Sequence, residues 1–229
     1  MSKFAPIEVQ VINKDLWYYS MQKVDNFGLS TETKGGGISI AGSGGSKESS
    51  KKNERERLTD VGNFLLKNNA LYTQELPVVG KYLLIRSNAM LGNMWNFGIA
   101  DDDPMRNVVW WIGCESEDIR VFTYGDRRNF RKQGTIPDSG APKSTWYPSD
   151  YGAYSNILSS VAASVGGEEK PSFKNSKVSS LIRYCFNDGV LRGRGFEGVW
   201  DILMHVHYVE AQNNEAPLVC GSPIWVSLN

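Results

Sequence analysis

The chain has 229 residues, with 25 Lys and Arg set against 25 Asp and Glu, so its formal net charge is zero. That balance excludes a strongly basic nucleic-acid coat and an acidic solvating tail. A content of 41% hydrophobic and 11% aromatic residues excludes a disordered chain. A domain of this length buries about 70% of its unfolded surface, so it needs no disulfide or metal to fold; residues 1–229 are read as one domain.

The elements follow in chain order. Residues 7–12 and 16–21 are rich in β-branched and aromatic side chains, and Asn13-Lys14-Asp15 between them reads as a turn, which suggests a first strand pair. Residues 34–53 change abruptly to Gly, Ser and Lys and read as a flexible excursion with one short strand at 38–41. Residues 54–69 then carry helical spacing, with Leu58, Val61 and Leu65 on one stripe and Phe64 at its margin. Four strands follow at 82–90, 94–99, 108–112 and 119–124, separated by turns at Gly92-Asn93, 101–104 and 115–118. Connections this short make an antiparallel meander.

Helices are expected at 149–165 and 174–187, closed by Gly166-Gly167 and Asp188-Gly189. Residues 199–210 fit two periods. Val199, Ile202, Leu203, Val206 and Val209 fit a helix, whereas Met204, Val206 and Tyr208 alternating with His205 and His207 fit a strand; length favours the helix. The last strand, 218–228, carries a Gly221-Ser222-Pro223 break, and Pro223, lacking an N–H, belongs at an edge or bulge. The expected fold is therefore α+β: one largely antiparallel sheet with about four helices packed on it.

No apolar segment precedes a small-residue cleavage site near the first residue, and no run of about 18 apolar residues occurs, so neither a signal peptide nor a transmembrane helix is expected. Cys114, Cys185 and Cys220 are odd in number, lack CxxC spacing and sit among apolar neighbours. They read as reduced, buried thiols, and with no N-x-[ST] acceptor the expected location is the cytoplasm.

Two stretches resemble a known family. Trp17-Tyr18-Tyr19-Ser20 followed by Lys23-Val24-Asp25 resembles the YYxSxxKVD-like opening strand of an uncharacterised, largely actinobacterial family. Gly221-Ser222-Pro223-Ile224-Trp225-Val226 is similar to its terminal G-[ST]-P-aromatic strand, and 108–113 with 122–128 to its central strands. The resemblance implies a bacterial, cytosolic, single-domain protein. It brings no catalytic residue, and the Gly/Ser/Lys insert departs from the pattern.

Chemistry-bearing residues are sparse. Gly44-Gly45-Ser46-Lys47 lacks the order of a Walker loop, so residues 34–53 read as a linker. His205 and His207 would share one side of a strand, where Cys185, Cys220, Asp201 or Glu210 would have to complete a metal site; on a helix they would diverge. No metal and no cofactor are expected. Cys114 stands beside acidic residues that raise a thiol pKa, and Asp101-Asp102-Asp103 reads as a solvated turn.

The strongest local signal is Arg120, Arg127, Arg128, Arg131 and Lys132, interleaved with Phe122, Tyr124 and Phe130 and opposed nearby only by Asp126. Basic groups attract phosphates and aromatic rings stack on bases, so Arg120, Arg127, Arg128, Phe130, Arg131 and Lys132 form the expected ligand-binding set. The neutral total limits this to a local anion site, not an extended nucleic-acid track. The reading is a non-enzymatic recognition module for a nucleotide-like anion or a protein partner, of the kind found in bacterial conflict or phage-defence operons, with no membrane role. The alternative is a small-molecule enzyme with a pocket between sheet and helices, using Asp25, Arg106, Glu115 or His205 as acid–base groups.

Overall fold

The computed structural model describes residues 15–33, 50–72, 77–97, 99–100, 102–113, 119–132, 151–163, 178, 180, 182, 195–212 and 215–229. Its elements are β1 (Asp15–Tyr19), α1 (Met21–Asp25), β2 (Glu32–Thr33), β3 (Ser50–Lys51), α2 (Glu54–Lys67), β4 (Leu71–Tyr72), β5 (Tyr82–Asn93), β6 (Val108–Gly113), β7 (Arg120–Asp126), α3 (Tyr151–Ala163), β8 (Phe196–Gln212) and β9 (Glu215–Leu228). The fold is α+β and dominated by its sheet.

Five strands close on themselves. β5 pairs with β6, β6 with β7, β7 with β9, β9 with β8, and β8 returns to β5. β1 extends the β7 side of β9, and β4 extends the β6 side of β5. The sheet is mixed, because β7–β9 and β4–β5 run parallel. The expectation of a largely antiparallel sheet holds in part: β1–β9, β5–β6, β5–β8, β6–β7 and β8–β9 are antiparallel. The meander β5–β6–β7 is antiparallel as its short turns require, but the ring closes only when β9 comes back beside β7. A parallel neighbour needs a long connection, and here that connection contains α3.

The inside of the ring is apolar. Leu83, Ile85, Ala89 and Leu91 of β5 meet Val109 and Trp111 of β6, Val121 of β7, and Trp200, Ile202, Met204 and Val206 of β8. So small a barrel has room for side chains and not for a channel. Outside, Tyr154, Ile157, Leu158 and Val161 of α3 cover Trp110, Phe122 and Cys220. On another outer face Leu58, Val61 and Leu65 of α2 cover Tyr19, Leu84, Leu203 and Trp225. α2 begins with a full capping box, in which Asn53 accepts from the Glu56 N–H and Glu56 accepts from the Asn53 N–H.

The expected helix at 199–210 is a strand. Both of its faces are covered, Trp200, Ile202, Met204 and Val206 by the barrel interior and Leu203 by α2. Burial on both sides erases the polar half of a strand's alternation and leaves an apolar run that also satisfies a helical period. Val199, which the helical stripe would bury, is 37% exposed.

The expected strand at 94–99 is also corrected: Met94–Phe97 is a 3-10 turn that puts Met94 and Phe97 into the core beneath α3. Gly92-Asn93, read as a turn, ends β5 instead. A Cβ at Gly92 would collide with the Trp110 ring across the pair, so glycine is required there by close approach. Three helices are described instead of about four, α1 among them unexpected. Residues 178, 180 and 182 are helical, but the rest of the expected helix at 174–187 lies outside the described residues. So do the expected first strand at 7–12 and residues 34–49 of the Gly-rich insert. Its last residues are placed: β3 pairs with β2, and Lys52 binds Asp60 at 2.6 Å.

Trp111 is fully buried and touches Tyr18, Phe130 and Trp200. Replacing it with Ala removes a large ring from a space that cannot collapse. Trp111→Ala is expected to cost about 3–5 kcal/mol, read as a lower urea midpoint with an unchanged slope.

Candidate functional site

The β8–β9 register shifts three times, and the first two shifts frame the site. Leu203 pairs with Trp225 but Met204 with Pro223, so Ile224 is an extra residue on β9. Val206 pairs with Gly221 but Tyr208 with Cys220, so His207 is an extra residue on β8. Bulges bend a strand and re-aim its side chains. Pro223 sits beside the first bulge, as its missing N–H requires. Gly221 sits beside the second, where a Cβ would lie 2.5 Å from the His205 carbonyl oxygen.

Between the bulges, on the outer face of the barrel, lies a cleft of about 310 Å³. His205, His207, Ser222 and Ile224 form its floor, Tyr82 of β5 and Phe27 its aromatic wall, and Lys23 and Asn26 its rim. The His207 Nε2 is 2.9 Å from the Ser222 Oγ and 3.3 Å from the His205 Nδ1. The Tyr82 ring lies 5.0 Å from the His205 ring and 5.4 Å from the Phe27 ring. No carboxylate is among the described residues that line the cleft.

Lys23 reaches this place because α1 follows directly on β1, which pairs with the far end of β9. The Ser20 N–H donates to the Ile224 carbonyl at 2.9 Å, fixing the start of α1 against the bulge. The Lys23 ammonium donates to the Pro223 carbonyl at 3.0 Å and makes no ion pair among the described residues. Burial alone pulls its pKa down to about 8. Its stem also borders a second, smaller cavity of about 70 Å³ beside Tyr18, Asn107 and Asn129.

Residues 17–25 and 221–226 are thus neighbours across one cleft. No family model, curated protein or solved structure matches the chain. The cleft is therefore read from its own geometry.

The basic segment is placed elsewhere and is largely engaged. Asp126 accepts from both the backbone N–H and the guanidinium of Arg128. Arg131 pairs with Glu54 of α2 and lies over the Tyr19 ring, and Lys132 binds Asp15 at 2.7 Å. Arg120 donates to the Ala216 carbonyl at 3.1 Å. Arg127 begins a 3-10 turn and is engaged as well. Phe130 is buried against Trp17 and Trp111 and cannot stack on a ligand. Asp126 is thus not the only acid within reach; Glu54 and Asp15 arrive from distant sequence.

The remaining candidates scatter. Asp25 pairs with Arg57, and Arg106 is buried in the turn before β6. Glu115 lies outside the described residues, as do Asp101, Cys114 and Cys185. Asp103 caps its turn by accepting from the Met105 N–H at 2.8 Å. His205 alone of the acid–base set lines the cleft. The strand reading of the two histidines is the one that holds, yet their partner is Ser222: among the described residues no three His, Cys, Asp or Glu side chains are placed to hold a metal. Cys220 is a free, buried thiol whose pKa burial pushes well up, with Glu210 adding to the effect. No described helix is long and apolar enough to cross a membrane.

Lys23 carries a stability cost with a definite pH window. Between about pH 8 and 10.5 the unfolded chain holds a proton that the folded chain has released, so stability rises with pH across that range. Below pH 8 both states are protonated and the penalty is constant, at most roughly 3 kcal/mol. Lys23→Met also loses the bond to Pro223, worth about 1 kcal/mol. The variant is expected to be about 1–2 kcal/mol more stable than the native protein at pH 7, with the gain shrinking toward pH 10. Urea titrations at the two pH values measure it; a destabilised variant at pH 7 would make Lys23 a structural residue.

Proposed function

We propose that the protein is a recognition module for a small nucleotide-like anion held in the Lys23–His205–His207–Ser222 cleft. The observation that carries this reading is a half-buried lysine, with no ion-pair partner among the described residues, beside two imidazoles and a hydroxyl. A bound anion supplies the missing charge. The Tyr82 and Phe27 rings offer a stacking wall for a planar base. A volume of about 310 Å³ lies at the low end of small-ligand sites, which run roughly 300–1,000 Å³, and suits a mononucleotide better than a polymer. The setting we propose is the bacterial cytoplasm, on the resemblance of residues 17–25 and 221–226.

The enzyme alternative draws on the same cleft, because 2.9 Å between Ser222 and His207 is the length of a nucleophile–base contact. In a catalytic triad the third group holds the other nitrogen of the base. Here His205 approaches the same Nε2 that faces Ser222 and competes for it. That shared nitrogen favours binding over nucleophilic catalysis.

Titration calorimetry with the four common nucleoside 5′-monophosphates tests the reading. Lys23→Met is expected to weaken binding about 10–100-fold, the worth of one charge-assisted hydrogen bond. The triple variant Arg127→Ala, Arg128→Ala, Arg131→Ala is expected to bind as the native protein does and to lose about 1 kcal/mol of stability or less. Loss of binding in the triple variant with none in Lys23→Met would return the site to the basic segment.

A further inference from the structure

Lys23 is shared by two cavities. It lines the cleft of about 310 Å³ with Tyr82, Phe27 and Ser222, and it also lines the cavity of about 70 Å³ beside Tyr18 and Asn129. Of the described lysines it alone borders either space. Lys52 and Lys132 are tied to Asp60 and Asp15, and Lys51, Lys67 and Lys81 are exposed. One hydrogen bond, to the Pro223 carbonyl at 3.0 Å, holds the Lys23 nitrogen at the β9 bulge. That bond uses a single N–H, so a neutral amine held there keeps its lone pair and a second N–H.

Tyr82, His205 and His207 are the titratable groups that share the larger cleft with Lys23, and Tyr18, Tyr124 and Asp126 those that share the smaller cavity. Asp126 is taken up by Arg128, and Asp25 on α1 by Arg57.

We propose that Lys23 condenses with an aromatic aldehyde in the larger cleft to form an imine. This goes beyond the proposed function, because it concerns a covalent bond at Lys23 and not an anion held beside it. The free amine attacks a carbonyl and the ammonium does not, so lysines that do this chemistry are drawn out of water into a cavity. With its pKa pulled to about 8 by burial, about one Lys23 in ten is a free amine at pH 7, against roughly four in ten thousand for an ordinary lysine. The Phe27 and Tyr82 rings, 5.4 Å apart, supply the wall on which an aromatic ring lies.

The step balances without an oxidant or reductant. The Nζ lone pair attacks the carbonyl carbon, the π pair of the C=O bond goes to oxygen, and a proton passes from nitrogen to that oxygen, giving a carbinolamine. The C–O bond then breaks, water leaves with the second nitrogen proton, and a C=N bond remains. The hydroxyls of Ser222 and Tyr82 line the same cleft and relay the protons.

The native protein at pH 7 is treated with salicylaldehyde and cyanoborohydride, which reduces an imine to a stable secondary amine, and the labelled lysines are located by peptide mass spectrometry. Lys23 is expected to be labelled tenfold or more faster than Lys51, Lys67 or Lys81. In urea beyond the unfolding transition that lead is expected to vanish. Lys23→Met, shown folded by its urea transition, is expected to lose the fast label alone. Propanal, which has no ring to stack, is expected to give Lys23 a smaller lead. Labelling of the exposed lysines as fast as Lys23 in the folded protein, or an equal lead with propanal, would overturn the inference. Neither result touches the proposed function, which the monophosphate titrations decide by themselves.

Discussion

The outer face of the barrel is organised by the pairing of β8 with β9. That pair closes the ring on one side, and His205, His207 and Ser222 of the cleft lie at or between two of its register shifts. His207 is the surplus residue of β8, Ile224 the surplus residue of β9, and Ser222 lies between. A regular ladder would keep strict alternation through this stretch. The bulges break that rule where two imidazoles and a hydroxyl gather. The interior, by contrast, keeps its alternation and is filled by Trp111, Trp200 and the aliphatic side chains around them.

Local chemistry made part of this fold legible. α2 was readable because the Leu58–Val61–Leu65 stripe states a buried face within a few turns, although its Asn53–Glu56 capping box went unread. The β5–β6–β7 meander was readable because short turns separate apolar runs. β8 was not, because Asp201 and Leu203 on its outer face are buried like the inner residues, so an apolar run there satisfies both periods. The 3-10 turn at Met94–Phe97 was also hidden: its apolar residues serve the α3 side of the core, and nothing nearby in sequence marks that.

The cleft was half visible. His205 and His207 were identifiable as sharing one side of a strand, and Pro223 as marking a bulge. What could not be read was that Lys23 joins them, for its contact with Pro223 spans 200 residues. The basic segment meets the same limit. Arg131 and Lys132 look unopposed along the chain, but Glu54 and Asp15 reach them through the fold. Charge counted locally measures only the acids that happen to be close in sequence.

The same long reach has a kinetic side. β1 pairs as a strand with β9, beside a single bridge from Tyr18 to Phe130, and the parallel contact of β7 with β9 completes the ring. At the roughly 5–20 residues per second of ribosomal synthesis, a 200-residue separation leaves β1 waiting about 10–40 s for its partner. Throughout that interval Trp17, Tyr18 and Tyr19 have no strand to cover them, and the β5–β6–β7 meander stands as an open sheet with Trp110 and Trp111 on its two faces. The nascent chain is thus an early client for whatever shields apolar surface at the ribosome, and the barrel forms as a late, nearly single event when its last strand arrives.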